Sequence, residues 1–227
     1  MTERAGTMGA GPGWRDPARL RQALQLYVVT DERPDGEALF PIVERAIAGG
    51  ATAVQLRRKQ ELGRRFVELG RALRELTRQA GVLFFINDRV DVAAIVDADG
   101  VHVGQDDISC RDARRLLGPD KVIGVSAETV EEAVAAERDG ADYLGVGAVY
   151  PTQSKPDAGF TGLDGLREIV RSVRIPVVAI GGIGLANAGD PMRCGASGIA
   201  VVSAVMSAPD PEAAARELRS RVDAALR

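Results

Sequence analysis

Short runs of β-branched and aliphatic residues alternate with longer stretches of helical periodicity along this chain. The apolar runs predict strands at Leu26–Thr30, Ala53–Arg57, Val82–Asn87, Val101–Gly104, Val122–Ser126, Tyr143–Gly147, Val177–Gly181 and Ile199–Ser203. Apolar positions three and four apart predict helices over Gly63–Gln79, Thr129–Arg138 and Leu163–Val173. A further helix over Pro211–Leu226 closes the chain, with proline at an early helical position. Strands that alternate with helices imply a parallel sheet, and eight such units are the number that closes a barrel. The expected fold is therefore α/β, a single (β/α)8 TIM barrel. The competing architecture is a doubly wound open sheet. It calls for a glycine-rich dinucleotide turn after the first strand, where this chain has Asp31-Glu32-Arg33-Pro34.

Three repeated elements, Gly50-Ala51-Thr52, Gly140-Ala141-Asp142 and Gly195-Ala196-Ser197, read as punctuation. Each ends a helix with a glycine able to turn left-handed and then enters a strand.

At 227 residues the chain fits one barrel domain, expected over residues 21–227, preceded by a flexible extension over residues 1–20 rich in Gly, Pro and Arg. Met8 is an alternative start within that extension. Hydrophobic residues make up 45% and aromatic residues 4%, so the core is expected to be aliphatic. A net charge of −3 argues against nucleic acid or anionic membrane as partner. The arginines between Arg57 and Arg78 are interleaved with Glu61, Glu68 and Glu75 and read mostly as a solvated helix face. Cys110 and Cys194 lack metal-ligand spacing and are expected as free thiols. No run approaches a membrane span and no signal segment is evident, so a cytoplasmic location is expected.

The chemistry gathers where the strands end, which in a barrel is one face. Those ends carry Gln55, Arg57 and Lys59; Asn87 and Asp88; Asp107; Ser126; Thr152, Ser154 and Lys155; Gly181 and Gly182; and Ser203. Gln55, Arg57 and Lys59 alternate with period two and so share a side if the strand persists. Two acids at neighbouring strand ends suit Mg²⁺, which takes one or two carboxylates and completes its shell with water and phosphate oxygens. Either pair, Asn87-Asp88 or Asp106-Asp107, could instead cap the helix that follows. Arg57, Lys59 and Lys155 add the positive charge of a phosphate clamp. Gly147 to about Thr161 reads as an active-site loop, and Gly181-Gly182 with Val202-Ser203 as a phosphate cradle. His102, the only histidine, lies inside a strand and reads as a hydrogen-bonded barrel-interior residue. Nothing resembles a nucleophilic triad.

Eight motifs in order resemble thiamine phosphate synthase (thiamine-phosphate pyrophosphorylase) from about Leu26 to Met206. They are Leu26-Tyr27-Val28-Val29-Thr30-Asp31, Val54-Gln55-Leu56-Arg57-Arg58-Lys59, Ile86-Asn87-Asp88-Arg89-Val90-Asp91, Gly100-Val101-His102-Val103-Gly104-Gln105-Asp106-Asp107, Gly124-Val125-Ser126-Ala127, Pro151-Thr152-Gln153-Ser154-Lys155, Ala179-Ile180-Gly181-Gly182-Ile183 and Val201-Val202-Ser203-Ala204. The resemblance implies that a pyrimidine diphosphate and a thiazole phosphate are joined, with release of pyrophosphate. It implies that Gln55, Arg57, Lys59, Asn87, Ser126 and Lys155 hold the diphosphate substrate, with Arg57, Lys59, Ser126 and Lys155 catalytic. Asp88 and Asp107 then hold Mg²⁺, while Thr152, Gln153, Ser154, Gly182, Val202 and Ser203 hold the thiazole phosphate. The implied mechanism is dissociative and needs no nucleophilic side chain.

The chain departs from the family pattern at Arg58, where Glu is usual, at Glu128, where His is usual, and at Ser154, where Thr is usual. Strand alternation predicts that Arg58 points away from the site. A thiazole tautomerase on the same barrel would keep a histidine near position 128 and lose the Pro151–Lys155 motif; this chain does the opposite. A non-catalytic sensor has no need of a leaving-group clamp. Small molecules are the expected partners, and the chain is expected to act as a monomer or homodimer.

Overall fold

The computed structural model describes residues 13–152 and 159–227. Eight parallel strands pair in sequence order and close into a barrel. The chain enters through α1 (Pro17–Ala23), β1 (Leu26–Val29), α2 (Leu39–Ala48), β2 (Ala53–Leu56), α3 (Gly63–Ala80) and β3 (Leu83–Asn87). It continues through α4 (Val90–Ile95), β4 (Gly100–Val103), α5 (Cys110–Leu117), β5 (Val122–Ala127), α6 (Val130–Arg138) and β6 (Tyr143–Val146). Then follow α7 (Gly162–Ser172), β7 (Val177–Ile180), α8 (Gly189–Arg193), β8 (Gly198–Val201), α9 (Ser203–Met206) and α10 (Pro211–Ala225). The register Tyr27↔Ala200 between β1 and β8 closes the ring, which excludes the open sheet.

The expected flexible stretch 1–20 overlaps folded chain. Residues 1–12 lie outside the described residues, but Asp16 caps α1 by accepting from the Arg19 amide, Pro17 opens the helix, and Leu20 is buried. The physical reason is a short amphipathic turn that covers the lower end of the barrel. Leu20, Ala23 and Leu24 pack with Tyr27, Leu83 and Val122.

Two apolar layers follow from strand alternation. Residues such as Val28, Val54, Phe84, Ile86 and Val101 face outward and pack under the helices. Tyr27, Val29, Ala53, Phe85, Tyr143, Val178 and Ala200 pack together within the barrel. Large rings fit there because neighbouring strands give up side chains. A Cβ on Gly124 would lie 2.1 Å from Cζ of Tyr143, and one on Gly145 would lie 2.8 Å from Cε1 of His102.

The three punctuating glycines, Gly50, Gly140 and Gly195, all have positive φ. The residue two places on serves the sheet: Thr52 Oγ1 accepts from the Leu26 amide, and Asp142 Oδ2 accepts from the Ile123 amide. The arginine-rich helix α3 buries Phe66, Leu69 and Leu73 and pairs Arg65 with Glu68 and Arg78 with Glu75 on its outer side. Among the described residues both cysteines are free and buried, and no helix is long and apolar enough to cross a membrane.

Candidate active site

A cavity of about 840 Å³ opens at the strand C-terminal ends. It gathers Gln55, Arg57, Lys59, Asn87, Asp88, Asp107, Ser126, Thr152, Gly182, Val202 and Ser203, although they come from seven strand ends and loops. Gln153, Ser154 and Lys155 lie outside the described residues. A shallower groove of about 390 Å³ between α3 and α4 holds Arg64, Arg71 and Arg89 but none of the strand-end residues.

Strand alternation decides which residues of Val54–Lys59 enter the cavity. Gln55 and Arg57 line it, and Lys59 continues the same side beyond the strand. Arg58 turns away as expected. It is buried, donates to the Arg33 carbonyl, and reaches Glu61 Oε2 at 2.8 Å. Its Nε has no hydrogen-bond partner among the described residues.

Neither Asn87-Asp88 nor Asp106-Asp107 caps a helix. Arg89 stands at the N-cap of α4 with no side-chain bond, and Ser109 caps α5 by accepting from the Asp112 amide. Asp106 is exposed and lies outside the cavity lining. Asp107 is turned inward instead, accepting from the Gly104 amide at 2.8 Å. Asp88 has a φ of 59°, a left-handed conformation uncommon for a residue with a side chain. Its amide still donates to the His102 carbonyl at 2.8 Å, so the turn comes directly off the sheet.

The two carboxylates face each other closely enough to share a hydrogen bond. Burial and this neighbour push the Asp88 carboxyl up to about 6, with Lys59 opposing. Lys59 Nζ lies 3.4 Å from Asp88 Oδ2. Two facing hard-oxygen donors short of positive charge fit a divalent cation of the Mg²⁺ kind. Among the described residues no group of three or more His, Cys, Asp or Glu side chains is placed to hold a metal ion.

Sequence reasoning missed Glu32. Its Oε1 accepts from the Lys59 backbone amide at 2.7 Å and from the Arg57 guanidinium at 3.3 Å, so it ties down the backbone at Lys59 and the side chain of Arg57. Strand alternation could not reveal it, because Glu32 lies in the loop after β1. Glu128 also lines the cavity and accepts from the Gly159 amide at 2.9 Å. His102 fits the expected interior role but is more connected than anticipated: its ring nitrogens bond Tyr143 Oη at 2.9 Å and Ser126 Oγ at 3.0 Å.

A family model described as thiamine monophosphate synthase matches residues 26–205. The chain belongs to the thiamine monophosphate synthase family. The thiamine-phosphate synthase of Chloroflexus aurantiacus is 58% identical over 200 residues, covering 87% of this chain and 92% of that protein. The corresponding protein of Moorella thermoacetica is 55% identical over 199 residues, covering 87% and 95%. The solved thiamine phosphate pyrophosphorylase from Pyrococcus furiosus superposes with a TM-score of 0.83 at 48% identity, over 92% of this chain and all of that one. This chain is a transferase of that family.

Proposed function

We propose that the chain joins 4-amino-2-methyl-5-hydroxymethylpyrimidine diphosphate to a thiazole phosphate, giving thiamine phosphate and pyrophosphate by a dissociative route assisted by Mg²⁺. The observation that carries this reading is the pair of facing carboxylates, Asp88 and Asp107, beside Arg57 and Lys59 in one cavity. The C–O bond to diphosphate breaks and its electron pair leaves with the diphosphate. The thiazole nitrogen then attacks the pyrimidine methylene cation and becomes quaternary, so no proton needs to be removed from it. A covalent protein intermediate is unnecessary.

In this reading the protein stabilises charge as it grows on the leaving group, where fixed cations in a closed site are most effective. Arg57 can fork onto phosphate oxygens, and Lys59 can turn from Asp88 to the diphosphate. Lys155, which follows β6 in the sequence, would supply a third charge. Asp88 and Asp107 would hold Mg²⁺, which when bound neutralises diphosphate oxygens. Gln55, Asn87 and Ser126 hold the pyrimidine diphosphate. Thr152, Gln153, Ser154, Gly182, Val202 and Ser203 hold the thiazole phosphate near β7 and β8, where barrels of this kind often bind phosphate. The substrates are small molecules and the site is that of a cytoplasmic biosynthetic enzyme.

The test is to supply both substrates with Mg²⁺ and measure pyrophosphate and thiamine phosphate together. Equal release of both is expected, and release of neither from folded protein would overturn the reading. Asp88→Ala and Asp107→Ala should abolish Mg²⁺-dependent turnover. Lys155→Ala should slow it by on the order of 10²-fold, the usual effect of losing one charge-stabilising donor.

A further inference from the structure

Five side chains form one continuous hydrogen-bonded chain across the floor of the cavity. Gln55 Nε2 donates to Tyr27 Oη at 2.7 Å, and Tyr27 Oη lies 3.0 Å from Tyr143 Oη. Tyr143 Oη lies 2.9 Å from His102 Nδ1, and His102 Nε2 lies 3.0 Å from Ser126 Oγ. Both tyrosines are buried, and burial holds their hydroxyls well above the ordinary phenol value. Each therefore keeps its single hydrogen. The fit is built rather than incidental: Gly124 and Gly145 leave the space that the Tyr143 and His102 rings occupy.

A chain of this kind has a direction, set by the group that can only donate. An amide nitrogen donates and never accepts. Tyr27 accepts from Gln55, so its own hydrogen passes to Tyr143. Tyr143 then gives its hydrogen to Nδ1 of His102. That nitrogen must be the bare one, which places the ring hydrogen on Nε2. Nε2–H donates to Ser126 Oγ, and the hydrogen of Ser126 is left to point elsewhere.

We infer that His102 is a positioning residue, held as the Nε2–H tautomer by Gln55, Tyr27 and Tyr143, and that it turns the Ser126 hydroxyl into a donor toward the substrate. This rests on the reading that Ser126 meets the pyrimidine diphosphate. The groups such a donor suits are a ring nitrogen or a diphosphate oxygen, both acceptors. The same hydroxyl is thereby barred from acting as a base through His102, because the nitrogen facing it already carries hydrogen.

His102 is the only histidine in the chain, so a sample labelled with ¹⁵N-histidine reports one imidazole. The wild-type protein should show the Nε2–H tautomer at neutral pH. Tyr143→Phe keeps the ring and removes the hydroxyl that donates to Nδ1. It should populate the other tautomer and lower kcat about tenfold, less than the 10²–10³ typical of deleting a donor outright, with little change in KM for the diphosphate. An Nδ1–H tautomer in the wild-type protein would overturn the direction of the chain, whatever the activity. So would a Tyr143→Phe protein with unchanged tautomer and kcat. Ser126→Ala separates the two readings: it should lose turnover, and full activity with Nε2–H intact would remove the role given to Ser126.

Discussion

The behaviour of Asp88 depends on what faces it. Beside Asp107 and partly out of water, its carboxyl is held up at about 6 rather than the ordinary 3.8. The folded protein therefore binds that proton more tightly than the unfolded chain does. The stability this confers is present in full below the unfolded value and is lost as pH rises through about 6. Above that, two carboxylates oppose each other, and in the proposed reading Mg²⁺ would relieve them. Mg²⁺ is thus expected to raise Tm more at about pH 7.5 than at about pH 5, where it must displace the proton; calorimetry at the two pH values checks this. Equal shifts at both would take Asp88 out of the proposed metal site. The identity of the acids was legible in the sequence, but their capping role was open. It closed against capping because Ser109 already serves α5 and because Asp107 turns back to the Gly104 amide.

At the scale of elements, strand alternation told correctly that Gln55 and Arg57 share a face and that Arg58 leaves it. The predicted strands all appear, most of them one or two residues shorter at their C-terminal ends because the chain there turns into the cavity rim. What alternation could not tell is which inward positions hold rings and which hold only hydrogen. Gly124 and Gly145 read as ordinary strand glycines until the rings of Tyr143 and His102 are set against them. Gly124→Ala is accordingly expected to force the Tyr143 ring aside and to destabilise the barrel by about 1–3 kcal/mol, the usual cost of overpacking. Urea unfolding measures it, and an unchanged midpoint would show that the floor yields freely.

Across the whole molecule, the helical layer and the cavity floor are separate bodies of packing. Leu218 of α10 is fully buried in the outer layer, in the helix that packs on α2, and none of its side chain lines the cavity. Leu218→Ala should cost about 2–5 kcal/mol of stability while leaving kcat near that of the parent at a temperature where both are folded. A large fall in kcat under those conditions would show that the outer shell sets the site's geometry. The sequence by itself determined the number of βα units, hence a closed parallel barrel, and the set of strand-end side chains, because both follow from local periodicity. Only the tertiary structure decided that Asp88 and Asp107 confront each other, that Glu32 braces Arg57 and Lys59, and that His102 links Tyr143 to Ser126. Those pairings join residues 19 to 41 positions apart, brought together by closure of the barrel rather than by any repeat along the chain.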